Sequence, residues 1–171
     1  DGIVTKTFDA KMADVSVQAV WDMLHDLKKG DAKMPDRGLG GHWHPNAPWY
    51  GCAGIGSARG HASIRDVVLK AFRRGLSDNT RHLEDGVFFG DHNLVAFTGW
   101  PSGTATHSGE EFMGLAPTGI RFTRRSLDFW RIENGLIREN WVMVDILDIY
   151  RQLGVDVLAR MQDKTGGEHA A

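Results

Sequence analysis

The stretch from Ile120 to Val144 constrains this chain more than any other part of it. Two runs of alternating polar and apolar residues, 120–132 and 136–144, flank Glu133-Asn134-Gly135. A period of two marks a strand with one buried face, and Asn-Gly between two such runs marks a hairpin. Two turns fit. A two-residue type I′ turn would set Asp128 opposite Trp141. A three-residue loop, with Gly135 left-handed in a bulge, would set Ile132 opposite Leu136 and Asp128 opposite Asn140. The choice matters because a one-residue slip reverses every inward and outward assignment on one strand. The three-residue turn is preferred because it puts Asn140 beside a carboxylate. It gathers Ser126, Asp128 and Trp130 on one face with Asn140, Val142 and Val144, and it turns Trp141 outward.

Upstream, Val17, Val20, Trp21, Leu24 and Leu27 recur at steps of three and four, which predicts a helix over 13–29. Lys28, Lys29 and Gly30 suit its end. Residues 30–41 are rich in Gly and read as loop. A short strand is expected near 42–44, and a second helix over 62–74 with Ile64, Val67, Val68, Leu69, Ala71 and Phe72 on its apolar side. Further strands are expected near 80–89, 92–100 and 103–113, and a last helix from Asp145 to about Gly154. Helices followed by a run of strands indicate α+β rather than alternating α/β. The expected organisation is one domain over 13–163, with 1–12 a tail or linker and 164–171 a frayed tail.

Composition narrows the function classes. Lys plus Arg number 20 and Asp plus Glu 22, so the net charge is −2 and no basic surface for nucleic acid is indicated. The one cysteine, Cys52, excludes an internal disulfide framework. No run of apolar residues is long enough to span a bilayer, and no charged-then-apolar leader is visible, so the cytoplasm is the default expectation. Gly54-Ile55-Gly56 lacks a βαβ setting and is not read as a dinucleotide site.

Residues 114–154 resemble the SnoaL-like polyketide cyclases, of the nuclear transport factor two-like superfamily. The resemblance rests on Gly114, Pro117-Thr118, Phe122, Arg131-Ile132, Gly135, Ile137-Arg138, Asp145 and Arg151-Gln152-Leu153-Gly154, in register from Phe122 onward. The 13–29 helix, His44-Pro45 and the segment from Gly60 to Phe72 extend it over most of 13–154. It implies a cone-shaped α+β barrel, a strongly curved antiparallel sheet wrapped around a pocket with N-terminal helices. It also implies a homodimer through an exposed sheet face, and no metal or organic cofactor. In the cyclases a pocket Asp on the strand after the turn serves as acid and base for an aldol ring closure, helped by a Gln and a His on the preceding strand. Here those positions hold Val142, Ser126 and Asp128. The expected acid is therefore Asp128, one strand away from the family's.

A carboxylate on the concave side of such a sheet would be desolvated and its pKa raised, which suits proton transfer near neutrality. His107, within the expected strand 103–113 that would border the same pocket, is the candidate partner for it. His44, Trp49, Tyr50, Ser126, Trp130, Asn140, Val142 and Asp145 are the candidate substrate-binding residues. Aromatic rings in a concave site suit a ring-shaped ligand, although Asp145 is also well placed to cap the last helix. His42-Trp43-His44 has strand spacing but no third ligand nearby, so no metal site is expected. The expected ligand is a small hydrophobic or ring-type molecule, with nucleic acid and membrane excluded as partners. The expected chemistry is proton transfer next to a carbonyl (cyclisation, isomerisation or dehydration), with non-catalytic binding of the same ligand class as the alternative.

Overall fold

A computed structural model describes residues 10–29, 39–76 and 78–165. Residues 1–9, the 30–38 part of the expected loop and the last six of the expected C-terminal tail lie outside the described residues. Helix α1 (Ala10–Lys29) forms where apolar residues recur at helical spacing, starting inside the stretch expected as a tail. Its Val20, Met23 and Leu24 are buried in the main core, with Val17, Trp21 and Leu27 packed at the margin.

The strand expected at 42–44 is not there. A short helix, α2 (Leu39–His42), takes its place. The Trp43 amide donates to Leu39 O in helical fashion, and Trp43 meets the sheet only through an isolated parallel bridge to Ile137. Pro45, which has no N–H, helps prevent the bridge from growing into a ladder. Strands β1 (Pro48–Tyr50) and β2 (Ser57–Arg59) follow. The helix expected over 62–74 forms as α3 (Gly60–Ser63), a π-helical stretch (Ile64–Leu69) and α4 (Lys70–Gly75).

The expected strand 80–89 is instead two short ones, β3 (Thr80–Arg81) and β4 (Val87–Asp91). The strands expected at 92–100 and 103–113 are one strand, β5 (Leu94–Thr106), whose register shifts between Gly99 and Gly103. Pro101 lies within that irregularity, where a residue without a ladder donor is tolerated. Strands β6 (Arg121–Glu133) and β7 (Leu136–Val144) come next, then α5 (Ile146–Gln152) and α6 (Val157–Thr165). The sheet runs β2-β1-β7-β6-β5-β3, with β4 also on β5. It is curved and open, and α1 packs over β4 and β5. The fold is the α+β architecture expected from the sequence, but the sheet is not wholly antiparallel: β1 pairs with β7 in parallel. Among the described residues no helix is long and apolar enough to cross a membrane.

The hairpin corrects the expected turn while keeping the expected faces. Asn134 and Gly135 both have positive φ (51° and 75°), and Glu133 pairs with Leu136, so the turn has two residues. A bulge then skips Arg138, because Ile132 pairs with Ile137 but Arg131 pairs with Glu139. The skipped residue restores the parity that a three-residue loop would have given. Asp128 faces Val142, and Asn140 faces Trp130 instead of Asp128.

Candidate functional site

Alternation along β6 builds the site. Every even-numbered residue from Phe122 to Ile132 is buried, while its odd neighbours are half-buried or exposed. Arg124, Ser126, Asp128 and Trp130 therefore look into the concave side, where they line a cavity of about 520 Å³. Asn140, Val142 and Val144 of β7 and Trp49 of β1 continue this wall, and α1, α2 and the helical segment 60–75 supply the opposite one. The π-helical stretch contributes Ile64, Val68 and Leu69.

Asp128 is 3% exposed. Its neighbours in the row across the sheet are Phe97 on β5 and Val142 on β7, both apolar. Burial is accordingly the largest influence on its carboxyl and raises the pKa above that of an ordinary aspartate. The charges of Arg81 and Arg124 and a bond from Ser126 pull less strongly the other way. Ser126 Oγ lies 3.3 Å from Asp128 Oδ2 and 2.8 Å from Ser102 Oγ, and Ser102 donates to Arg124 O at 3.1 Å. The Ser126 hydroxyl has one proton for two acceptors. With Asp128 ionised, that proton turns onto Oδ2. With Asp128 protonated, the carboxyl donates to Ser126, which donates onward to Ser102. The hydroxyl chain thus accommodates both protonation states with a rotation and no backbone movement.

Two guanidiniums share this end of the cavity. Arg81, Gly103 and Arg124 form one row across β3, β5 and β6, so both arginines lie on the concave face. Gly103 is required between them, since a Cβ there would lie 2.3 Å from the Thr80 carbonyl oxygen and 2.6 Å from Arg124 Nη2. Arg124 donates from Nη1 to Asn79 Oδ1 at 2.9 Å. Its pKa is pushed down to about 10, first by burial and then by the positive charge of Arg81, against the pull of Asp128. Neither arginine was singled out by the sequence reading. Arg124 was within its reach, two residues before Ser126 on the same alternation, whereas Arg81 joins the group only through pairings distant in sequence.

Four of the expected site residues lie elsewhere. His107 follows the end of β5 and is fully buried, packed against Phe112 in the second core cluster instead of lining the cavity. The chain turns back after Thr106, and His107 Nδ1 accepts from the Thr118 amide at 3.3 Å. His44 is turned toward Arg138, whose Nη1 lies 3.0 Å from its Nδ1, and Trp43 lines the cavity in its place. Tyr50 alternates outward from Trp49 and stacks on Trp141 at 6.0 Å on the outer face of the sheet. Asp145 caps α5 by accepting from the Asp148 amide at 3.0 Å. Among the described residues no three His, Cys, Asp or Glu side chains cluster as metal ligands.

An open, curved α+β sheet around a cavity with a buried carboxyl on its wall is a nuclear transport factor two-like fold. The chain belongs to the SnoaL-like polyketide cyclase family, whose model matches residues 31–153. Solved structures share the fold. IdmH from Streptomyces antibioticus, a candidate polyketide cyclase, is 26% identical over 82% of this chain and 99% of its own, with a TM-score of 0.63. A candidate SnoaL-like polyketide cyclase from Jannaschia sp. CCS1 is 11% identical over 88% of this chain and 99% of its own, with a TM-score of 0.68. AclR from Streptomyces galilaeus, a candidate hydroxylase, is 19% identical over 83% and 97%, with a TM-score of 0.63. No curated protein matches the chain.

Proposed function

We propose that this protein catalyses proton transfer next to a carbonyl on a hydrophobic, ring-type substrate, with Asp128 as the acid/base, in a reaction of the cyclase, isomerase or dehydratase type. The observation that carries this reading is the pairing of Asp128 with Val142. The position where the family's catalytic Asp is expected holds Val142, and its direct partner across β6 and β7 is Asp128. The carboxyl has moved sideways by one strand spacing, about 5 Å, on the same concave face. In the proposed step Asp128 takes a proton from the carbon, the C–H electron pair moves into the carbonyl as an enolate, and Asp128 later returns the proton. No metal, organic cofactor or redox partner is required for such a step.

The apolar lining of Trp43, Trp49, Trp130, Leu24 and Phe72 fits a flat ring system. Turnover of a panel of aromatic β-ketoesters, followed by absorbance and mass spectrometry, tests the reading. Conversion of at least one member supports it. Tight binding across the panel without conversion would instead identify a carrier of the same ligand class.

A second copy of the chain is the proposed protein partner. Phe89, Leu94, Phe129 and Trp141 line a shallow apolar cleft on the outer face of the sheet, and Tyr50 stacks beside it. A dimer over this face would remove these side chains from water. Light scattering is expected to give a dimer mass for the wild type. Trp141→Asp should weaken association by about 30-fold or more, as expected for a charged residue at an aromatic anchor. A monodisperse wild-type monomer would contradict the proposal.

A further inference from the structure

We infer that the substrate carries a carboxylate, held by Arg81 and Arg124 beside Asp128. The inference rests on the reading of the cavity as a substrate pocket and names the chemical class it accepts. Three observations lead to it. First, the row Arg81–Gly103–Arg124 sets two guanidiniums on one concave face with no side chain between them, and both line the cavity. Second, no carboxylate of the described residues forms a salt bridge with either. The acid that shares their end of the cavity is Asp128, flanked by Phe97 and Val142 in a setting that disfavours its charge. Third, a further arginine, Arg73, lines the same cavity from an exposed position on α4.

Buried or half-buried cations are ordinarily paired. An excess of positive charge at rest calls for a ligand that is negative when it binds, not one that becomes negative only during reaction. Arginine's planar fork matches a carboxylate in two parallel bonds, and an exposed arginine at the opening would draw an anion in. Apart from Asn79, Thr80, Ser126, Asp128 and Asn140 the rest of the lining is apolar, so the anion is one end of a larger hydrophobic molecule and not a free inorganic ion.

Calorimetric titration of the full chain at neutral pH with naphthoate, naphthamide and inorganic phosphate tests this. Naphthoate and naphthamide share a ring and a planar head and differ in charge. Naphthoate is expected to bind at least about tenfold more tightly than naphthamide, and phosphate more weakly than naphthoate. In Arg81→Gln the preference should fall to within about twofold. In Arg81→Lys, which keeps the charge and loses the fork, it should be intermediate. Equal binding of acid and amide by the wild type, or an unchanged preference in Arg81→Gln, would overturn the inference. Phosphate binding as strong as that of naphthoate would overturn it too, by pointing to a general anion site. The acid preference should survive in Asp128→Asn. Acid preference without any turnover would therefore sink the catalytic reading alone, and turnover of neutral ketones without acid preference would sink this inference alone.

Discussion

Asp128→Asn is expected to lower turnover of any accepted substrate by about 10²–10⁴-fold, the usual contribution of a positioned acid/base. The amide keeps the shape of the side chain and accepts from Ser126, so the cavity wall should be unchanged, but it cannot take a proton. Loss of activity should come with a gain in stability at neutral pH. The folded carboxyl has a raised pKa, chiefly through burial. As pH rises above 3.8, the ordinary aspartate value, the unfolded chain loses this proton first. Stability then falls until the folded carboxyl itself ionises, and is flat beyond that point. In Asp128→Asn this decline is absent, so the variant should be the more stable form at and above the raised pKa. Urea midpoints measured from pH 4 to pH 8 check the sign. A wild type that gains stability relative to the variant as pH rises through that window would show that the carboxyl is stabilised, not strained, by its surroundings.

Phe97→Ala is expected to cost about 3–5 kcal/mol of folding stability, the range for deleting a buried aromatic ring. Phe97 has no exposed surface. Its ring packs against Phe88 at 4.5 Å between centroids and closes over Gly86, so little can collapse into the space left. A loss of that size is a large share of the stability of an ordinary domain. The same change should reach the site, because Phe97 is the row neighbour of Asp128 on β5. Water admitted there would solvate the carboxylate and bring its pKa back toward the ordinary value. Val15→Ala, on α1 with an exposed side chain, is the control and should change stability by no more than about 0.5 kcal/mol. Equilibrium unfolding in urea measures both variants.

The hairpin shows how much could be read from residues alone. The alternation of β6 and β7 placed Ser126, Asp128, Trp130, Asn140 and Val142 on the concave face, although the turn itself was assigned wrongly. Inward and outward facing depends only on parity, and a two-residue turn plus a bulge at Arg138 has the same parity as a three-residue loop. Contacts between partners depend on the actual count, which is why Asn140 bonds Phe129 O at 2.9 Å and not Asp128.

Other errors have local causes. His42-Trp43-His44 has strand alternation but sits at the end of a helical turn. The expected strand 103–113 overruns β5, which ends at Thr106, so His107 lies just past the point where the chain turns away. Arg81 was beyond reach for a different reason. Its place beside Arg124 follows from β3 pairing with β5 and β5 with β6, and no local pattern encodes pairings at that separation.

In the proposed function a carboxyl on the cavity wall moves protons at a carbon next to a carbonyl. Deuterium exchange into the α-carbon of tetralone, followed by proton NMR in heavy water, tests it without knowledge of the natural substrate. The wild-type protein is expected to accelerate exchange well above the buffer rate, and Asp128→Asn to return it to the buffer rate with the ketone still bound. Equal acceleration by the two proteins would contradict it.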